Sequence, residues 1–235
     1  MEPLPTKISP ERLRDTVIEL KYDSDIPAEY ILGLVYDAVE DVLAPVNKQG
    51  SNELSFNPFS SIIINPRKDL FQNEFIRLQV IEGRLIFNSN GVYKGWIQYK
   101  EEIKKTLDLL SGKNLIKSIN RIGLRYISEF SELQIFDKLI WNFHYTWKQS
   151  LNLNTSFRTE WEDNGDMIIV NLANSALPHG ETFSIIDIDV NYKFQEPIAL
   201  GETVLDTIER LHHKEKEVFF GLMRRDFLLS LNPTY

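Results

Sequence analysis

The sequence predicts an α+β protein in which a largely antiparallel sheet of about seven or eight strands carries three or four helices packed on one face. Three observations lead to this prediction. Several segments alternate apolar and polar residues, as half-buried strands do, and three longer segments place apolar residues at three- and four-residue spacing. Turn residues of the hairpin type separate neighbouring strands, and strands joined by hairpins are antiparallel.

The N-terminal part of the chain predicts five strands and two helices. In the first strand, Ile18, Leu20 and Tyr22 share one face. Pro27 marks the first turn of a helix, and Glu82 with Gly83 marks a hairpin turn. The predicted elements are a strand at 16–22, a helix from 27 to 45, a polar loop at 47–58, strands at 59–65, 75–80 and 84–88, a helix at 95–110 and a strand at 115–127.

The C-terminal part predicts a hairpin, one further strand and a long helix. Asn164 and Gly165 form the strongest hairpin signal in the chain. The predicted elements are strands at 157–161, 167–172 and 183–194 and a helix at 200–223. Between them, residues 135–150 have apolar side chains at helical spacing, but their aromatic density also permits a strand. The type of that element stays open.

The order of elements predicts one α+β domain over residues 1–235. Its halves, 1–130 and 131–235, have a loosely similar order of strands and helices, which suggests two pseudo-similar halves of one sheet. No sequence repeat accompanies this similarity.

The composition excludes several classes of chemistry. Hydrophobic residues make up 43% of the chain, which is enough to form a core, so disorder is excluded. The chain has no cysteine, which excludes disulfides, thiol catalysis, thiolate zinc sites and iron–sulfur clusters and favours a cytoplasmic location. Residues 1–10 lack the apolar segment of a secretory signal, and no apolar run approaches the ~20 residues of a membrane helix. We expect no contact with a membrane.

The charge balance bears on the choice of partner. The chain has 26 Lys and Arg residues against 34 Asp and Glu residues, a net charge of −8. Proteins that coat duplex DNA need a surplus of basic residues on the contact face. The balance therefore argues against duplex nucleic acid, while a local basic patch remains compatible with it.

Four short segments resemble, in the same order, a sporadically distributed family of uncharacterised prokaryotic proteins. These segments are residues 13–22, the Arg-Ile-Gly-Leu-Arg-Tyr-Ile run at 121–127, the Ile-Asp-Ile-Asp-Val run at 186–190, and residues 211–213 followed by Phe219 and Phe220. The run at 121–127 is the most specific, whereas the adjacent histidines and the tail at 227–235 depart from the family. The resemblance implies no established activity. The family has a patchy distribution, which is similar to that of defence or toxin–antitoxin genes.

Period-two geometry predicts a charged face on the sheet, opposite the helices. Its residues are Glu19, Lys21, Arg121, Arg125, Asp187 and Asp189. One interpretation is a ladder of ion pairs on a solvated surface. The other is a binding site in which the arginines hold a carboxylate, a phosphate or an acidic side chain of a partner. Burial of the arginines distinguishes the two.

Enzymatic alternatives use the same residues. Asp187 and Asp189 are spaced to share Mg²⁺ or a water, and Glu19 with Lys21 resembles the Glu-x-Lys strand of metal-dependent nucleases. A nuclease also needs an aspartate on a neighbouring strand, and Asp15 lies on the same one. An enzyme acting on polyphosphate would require more acidic positions. Hydrolase and phosphate-loop motifs are absent from the sequence. We expect no catalytic residues, no metal and no cofactor.

Histidine and aromatic residues offer two further hypotheses. His212 and His213 point about 100° apart on a helix, so they cannot both bind one metal, and one surface and one boundary position are expected. Aromatic residues between 141 and 147 could stack on single-stranded bases, but core packing is the better explanation for them.

The C-terminal segment carries arginines among large apolar residues. Its members are Phe219, Phe220, Met223, Arg224, Arg225 and Phe227. These residue types are enriched at interface centres, so the segment is either a tail docked on its own domain or a protein-interaction patch. The sequence therefore predicts a non-enzymatic binding or regulatory protein with a protein partner and a capacity for homo-oligomers. The alternative function is a metal-dependent nuclease or phosphoryl-processing enzyme.

Overall fold

A computed structural model describes residues 3–46, 70–142, 154–176 and 182–235. The described residues form nine strands and four α-helices, which confirms the predicted α+β class. The strands are β1 (Leu13–Asp23), β2 (Ala44–Pro45), β3 (Leu70–Gln72), β4 (Ile76–Ile81), β5 (Arg84–Ser89), β6 (Ser118–Ser131), β7 (Thr155–Asp163), β8 (Asp166–Ala176) and β9 (Thr182–Ile198). The helices are α1 (Ala28–Val39), α2 (Trp96–Gly112), α3 (Glu202–Leu222) and α4 (Arg225–Ser230).

The nine strands belong to one antiparallel sheet, in the order β2-β3-β4-β5-β1-β6-β9-β8-β7. The predicted count of seven or eight strands is wrong. No periodicity marks β2 and β3 in the sequence, because strands of two and three residues are too short to show alternation. Their pairing with a neighbour defines them instead.

The chain divides into two compact units. Unit 1 contains Met1–Thr16, Gly123–Tyr192 and Ile208–Tyr235, and unit 2 contains Val17–Ile122 and Lys193–Thr207. The borders fall inside β1, β6, β9 and α3. The units therefore do not coincide with the halves 1–130 and 131–235 suggested by the order of elements.

The core of unit 2 follows from alternation along β1 and β5. Ile18 and Leu20 are fully buried and lie opposite Phe87 and Leu85 in the strand register. The phenolic hydroxyl of Tyr99, on α2, donates a hydrogen bond of 2.9 Å to the backbone oxygen of Phe87. Helix α2 thus contacts the apolar face of this part of the sheet. Odd-numbered residues of β1 point to the opposite face.

The β7–β8 hairpin organises unit 1. Asn164 and Gly165 both have positive φ, 53° and 85°, as a two-residue type I′ turn requires, so the predicted hairpin is confirmed. The turn fixes the register that places Ile168, Val170 and Leu172 on one buried face, opposite Val190, Ile188 and Ile186 of β9. The other face of β8 and β9 carries polar residues.

Three predicted segments lie wholly or partly outside the described residues. The strand at 59–65 and the loop at 47–58 are outside them, as are Phe143 and Trp147. Residues Ile135–Lys138 form a short 3-10 helix that ends before Leu139, where the backbone becomes extended. Helical structure therefore does not continue from Lys138 to Asn142.

The C-terminus returns to the N-terminal segment within unit 1. Thr6 donates its backbone N–H to the Thr234 oxygen at 2.6 Å, and Ser9 donates to the Leu231 oxygen at 2.8 Å. Helix α4, which the sequence did not predict, precedes this pairing. None of the helices in the described residues is both long enough and apolar enough to cross a membrane.

Candidate functional site

The six residues predicted for the charged face lie on β1, β6 and β9. The structure brings four of them together as two ion pairs, one in each unit. Glu19 and Arg121 form the pair of unit 2, beside Lys21. Arg125 and Asp187 form the pair of unit 1, beside Asp189.

The pair in unit 1 is a buried, bidentate ion pair. The Nε and Nη2 atoms of Arg125 donate to Oδ1 and Oδ2 of Asp187, each at 2.7 Å. The side chains are 18% and 2% exposed, respectively. Asn171, directly opposite Asp187 in the register, donates its amide to Oδ2 at 3.1 Å. Both carboxylate oxygens of Asp187 are thus already engaged within the chain.

The surroundings keep Arg125 charged. Burial lowers the pKa of Arg125, but the hydrogen bonds to Asp187 and the negative charges of Asp187, Asp189 and Asp15 outweigh it, so the pKa of Arg125 is raised. The hydrogen bonds of Arg125 and Asn171 to Asp187 link three strands, β6, β9 and β8. The charge of Arg125 is compensated inside the protein and does not need a ligand.

The donor set for a metal is not assembled in unit 1. Asp189 accepts a hydrogen bond of 2.9 Å from the Asn191 amide, while Asp187 is held by Arg125 and Asn171. Across the described ranges, no three His, Asp or Glu side chains are grouped so that they could hold a metal ion. The shared Mg²⁺ that the spacing of the two aspartates suggested finds no support in this geometry.

The pair in unit 2 is accessible to solvent. Glu19 accepts a hydrogen bond of 2.5 Å from Nη1 of Arg121, and its other oxygen lies 3.6 Å from Nη1 of Arg84. The exposed fractions of these side chains are 23% for Glu19, 33% for Arg121 and 46% for Arg84. Lys21 is exposed and lies directly opposite Arg84 in the β1–β5 register. One carboxylate is therefore shared among several cations.

Arg77 and Arg84 are the members of this face that the sequence analysis missed. The register aligns Arg84 with Lys21, and Arg77 and Val17 both lie opposite Asn88, so all share the face of Glu19. The signal was present, because alternation in β4 and β5 combined with the turn at Gly83 fixes these positions. We name Glu19, Lys21, Arg77, Arg84 and Arg121 the basic face of unit 2.

The C-terminal segment docks on its own unit. Phe219, Met223 and Phe227 are buried, and the Phe227 ring lies 5.8 Å from that of Phe130. Arg224 donates from Nε to the Leu139 oxygen at 2.8 Å. The apolar anchors of the proposed patch are thus part of the core, as the docked-tail alternative requires. Phe220 is half-buried, and Arg224 and Arg225 are exposed.

The adjacent histidines occupy different environments. His212 is buried, with its ring 5.6 Å from that of Tyr126, whereas His213 is exposed and lies 3.3 Å from Glu217. The expected surface position is confirmed by His213, whereas the expected boundary position is wrong, because His212 is buried. Trp141 packs edge-on against Phe157 at 5.6 Å, which favours core packing over base stacking for that residue.

Helix α3 contains a buried carboxyl group that the sequence analysis did not single out. Glu215 is 3% exposed, and burial raises its pKa from 4.5 to about 8, while the neighbouring charge of Lys216 opposes the shift. The group is therefore largely protonated at neutral pH. Burial also lowers the pKa of Lys216.

No family model matches the chain, and no curated protein matches it. The resemblance to a family of prokaryotic proteins stays a prediction.

Proposed function

We propose that the chain is a non-enzymatic binding or regulatory protein whose basic face in unit 2 engages an acidic segment of a protein partner. The observation that carries this proposal is the placement of Lys21 directly opposite Arg84 on an accessible face, beside Arg121. Four of the five residues that define the basic face are basic, in a chain whose net charge is −8, while Asp23 at the end of β1 alternates to the same side.

Electrostatics explains why this arrangement favours an acidic ligand. Like charges directly opposite each other destabilise an antiparallel strand pair. Glu19 offsets part of this repulsion, but its two oxygens already face Arg121 and Arg84. Carboxylates from outside would offset the remainder, and arginine binds carboxylates in a bidentate geometry. A protein segment containing several Asp or Glu residues fits this face.

The buried pair of unit 1 is not part of the proposed surface. Arg125 is compensated by Asp187, and both oxygens of Asp187 are engaged. The same engagement argues against the metal-dependent nuclease or phosphoryl-processing alternative, because Asp187 is held by Arg125 and Asn171, and Asp189 accepts a hydrogen bond from Asn191. No observation on the described residues favours that alternative.

The cellular setting is proposed on separate grounds. The resemblance to a sporadically distributed prokaryotic family leads us to place this binding protein in a defence or toxin–antitoxin locus. The lack of cysteine fits action in the cytoplasm. The identity of the neighbouring genes tests the placement in a defence or toxin–antitoxin locus.

A pair of matched double variants tests the binding surface. In the test variant, Lys21→Gln and Arg84→Gln remove two positive charges from the basic face. In the control variant, Lys104→Gln and Lys105→Gln remove two positive charges from α2, where each lysine forms an exposed ion pair within the helix. All proteins are immobilised and exposed to nuclease-treated lysate of the native host, and captured proteins are identified by mass spectrometry.

We expect the native and control proteins to capture the same acidic partner and the test variant to lose it. Thermal unfolding of the test variant should be unchanged or slightly higher, since the repulsion between Lys21 and Arg84 is removed. Retention of the partner by the test variant contradicts the proposed surface. Capture by the native protein from untreated lysate that is absent from nuclease-treated lysate would instead identify nucleic acid as the ligand and contradict a protein partner.

A further inference from the structure

Strand β7 forms one end of the sheet and leaves a long row of backbone groups without a neighbouring strand among the described residues. It has nine residues and no proline. The strand at the other end of the sheet order, β2, has two residues, one of which is Pro45. Short edge strands and proline protect an edge against pairing with another chain, and β7 has neither feature.

The hairpin turn determines which groups of β7 face outward. Asp163 and Asp166 flank the two-residue turn and form its closing hydrogen-bonded pair. Hydrogen-bonded and non-hydrogen-bonded pairs alternate from there, so odd-numbered residues of β7 bond to β8. The residues whose N–H and C=O groups point away from β8 are Ser156, Arg158, Glu160 and Glu162. Within the described chain, no other backbone group pairs with them.

The side chains of β7 form a self-complementary pattern around Thr159. On one face, Arg158 and Glu160 lie on either side of Thr159; on the other face, Phe157 and Trp161 do. If a second copy of β7 pairs antiparallel with a two-fold axis at Thr159, residues whose numbers sum to 318 face each other. Arg158 then faces Glu160 of the second copy, and Phe157 faces its Trp161.

We propose that two copies of this chain dimerise by antiparallel pairing of their β7 edges, with the two-fold axis at Thr159. The outward groups of residues 156, 158, 160 and 162 then form the hydrogen bonds that an antiparallel pair requires. Two ion pairs form on one face and two aromatic pairs on the other. Cross-strand pairs of both kinds stabilise antiparallel sheets. An isologous interface of this kind closes as a dimer.

Charge selects this register over its neighbours. Shifting the axis to Glu160 pairs Arg158 with Glu162 of the second copy but places Glu160 opposite its own copy at the axis. Shifting it to Arg158 places Arg158 opposite its own copy and removes every pair of opposite charge. Like charges directly opposite each other are destabilising. Both side chains are accessible for pairing, with exposed fractions of 52% for Arg158 and 58% for Glu160. In the single chain they form an ion pair of 2.8 Å with each other, which the dimer would extend to four charges of alternating sign.

Charge reversal and charge exchange test this register on the full chain. We expect the native protein to show a concentration-dependent dimer in analytical ultracentrifugation. Either single variant, Arg158→Glu or Glu160→Arg, should weaken dimerisation about tenfold or more, because both ion pairs become repulsive. The double variant with both changes should dimerise again. An equimolar mixture of the two single variants should form a heterodimer, because every facing pair is then of opposite sign.

Two further variants separate this proposal from a change in folding. Arg14→Glu reverses another arginine of unit 1 with a similar exposed fraction, 55%, and should leave the dimer intact. Glu160→Pro removes an outward N–H without touching the bonds to β8 and should abolish the dimer, while circular dichroism shows a folded chain. A native protein that stays monomeric, a dimer that survives Glu160→Pro, or a mixture of single variants that stays monomeric would overturn the proposal. The variants of Lys21 and Arg84 should dimerise normally, so failure here and failure of the proposed function are distinguishable.

Discussion

The two units of this protein hold their charged side chains in different ways. In unit 1, Asp187 is 2% exposed beside Arg125, and Asp166 is 1% exposed with a hydrogen bond from Arg210. Glu215 is buried as well. In unit 2, the ion pairs lie at the surface. The partners of the Lys113–Asp37 bridge, for example, are 47% and 61% exposed.

Identical residue types on one predicted face therefore have different roles in the two units. A buried pair exchanges hydration for a fixed set of hydrogen bonds, so loss of one partner leaves a charge without compensation. An exposed pair is screened by water and contributes little to stability. The buried pairs of unit 1 therefore stabilise or order the fold, whereas the pairs of unit 2 and the exposed Arg158–Glu160 pair of unit 1 remain accessible to a partner. Three predictions test this contrast.

The largest effect is expected for Asp187→Asn in unit 1. The substitution keeps the shape of the side chain but leaves the mostly buried charge of Arg125 without its bidentate partner. We expect a loss of about 3 kcal/mol in the free energy of unfolding, measured by urea denaturation. The double variant Arg125→Met, Asp187→Asn should lose less than the sum of the two single variants. A loss below about 1 kcal/mol for Asp187→Asn would show that the Arg125–Asp187 pair contributes no more to stability than an exposed ion pair.

The next effect concerns Glu215 and depends on pH. Its pKa is about 8 in the folded protein and 4.5 as the ordinary value, so between these values the folded state holds a proton that the unfolded state has lost. Raising the pH through this window therefore destabilises the fold by up to about 1.4 kcal/mol per pH unit. Glu215→Gln has no proton to release, so its unfolding free energy should not fall in this pH window. Above the window, the difference in unfolding free energy between the two proteins should be constant.

Unfolding free energies of the native protein and Glu215→Gln, compared across this pH range, measure the effect directly. Other titrating groups are common to both proteins and cancel in the difference. Parallel pH profiles would show that Glu215 is charged in the folded protein, contrary to its burial.

The smallest effect is expected for Glu19→Gln in unit 2. Glu19 and Arg121 form an accessible pair, so we expect a change of about 0.5 kcal/mol or less in the free energy of unfolding. High salt should reduce this difference further, because exposed charges are screened. A loss comparable to that of Asp187→Asn would show that the two units do not differ in the way their exposure indicates.

Most of the fold was predictable because its elements have local signals. Apolar spacing identified α1, α2 and α3, and the turns at Gly83 and Gly165 identified both hairpins. The failures have a common cause. Strands β2 and β3 are too short for a period, and α4 has only six residues, so their structure depends on what they contact. Tertiary packing, not propensity, defines these elements.

The candidate site was predictable in part of its membership and not in its pairing. Alternation placed Glu19, Arg121, Arg125 and Asp187 on strands, and in the structure these four residues form two ion pairs. Alternation does not report burial, because exposure of a sheet face depends on what covers it. Asn171, which holds Asp187, was missed for this reason, since an asparagine on a strand carries no distinctive sequence signal.

The α+β class, the long helices, the two hairpins and the residues that alternate to a polar side follow from the amino-acid sequence, because these features depend on the period of side chains along one segment. The burial of Asp187, the accessibility of Glu19, the placement of Lys21 opposite Arg84 and the docking of the apolar C-terminal side chains in the core follow only from the folded structure. Desolvation and Coulomb interactions depend on the distance in space between residues that are far apart in the chain.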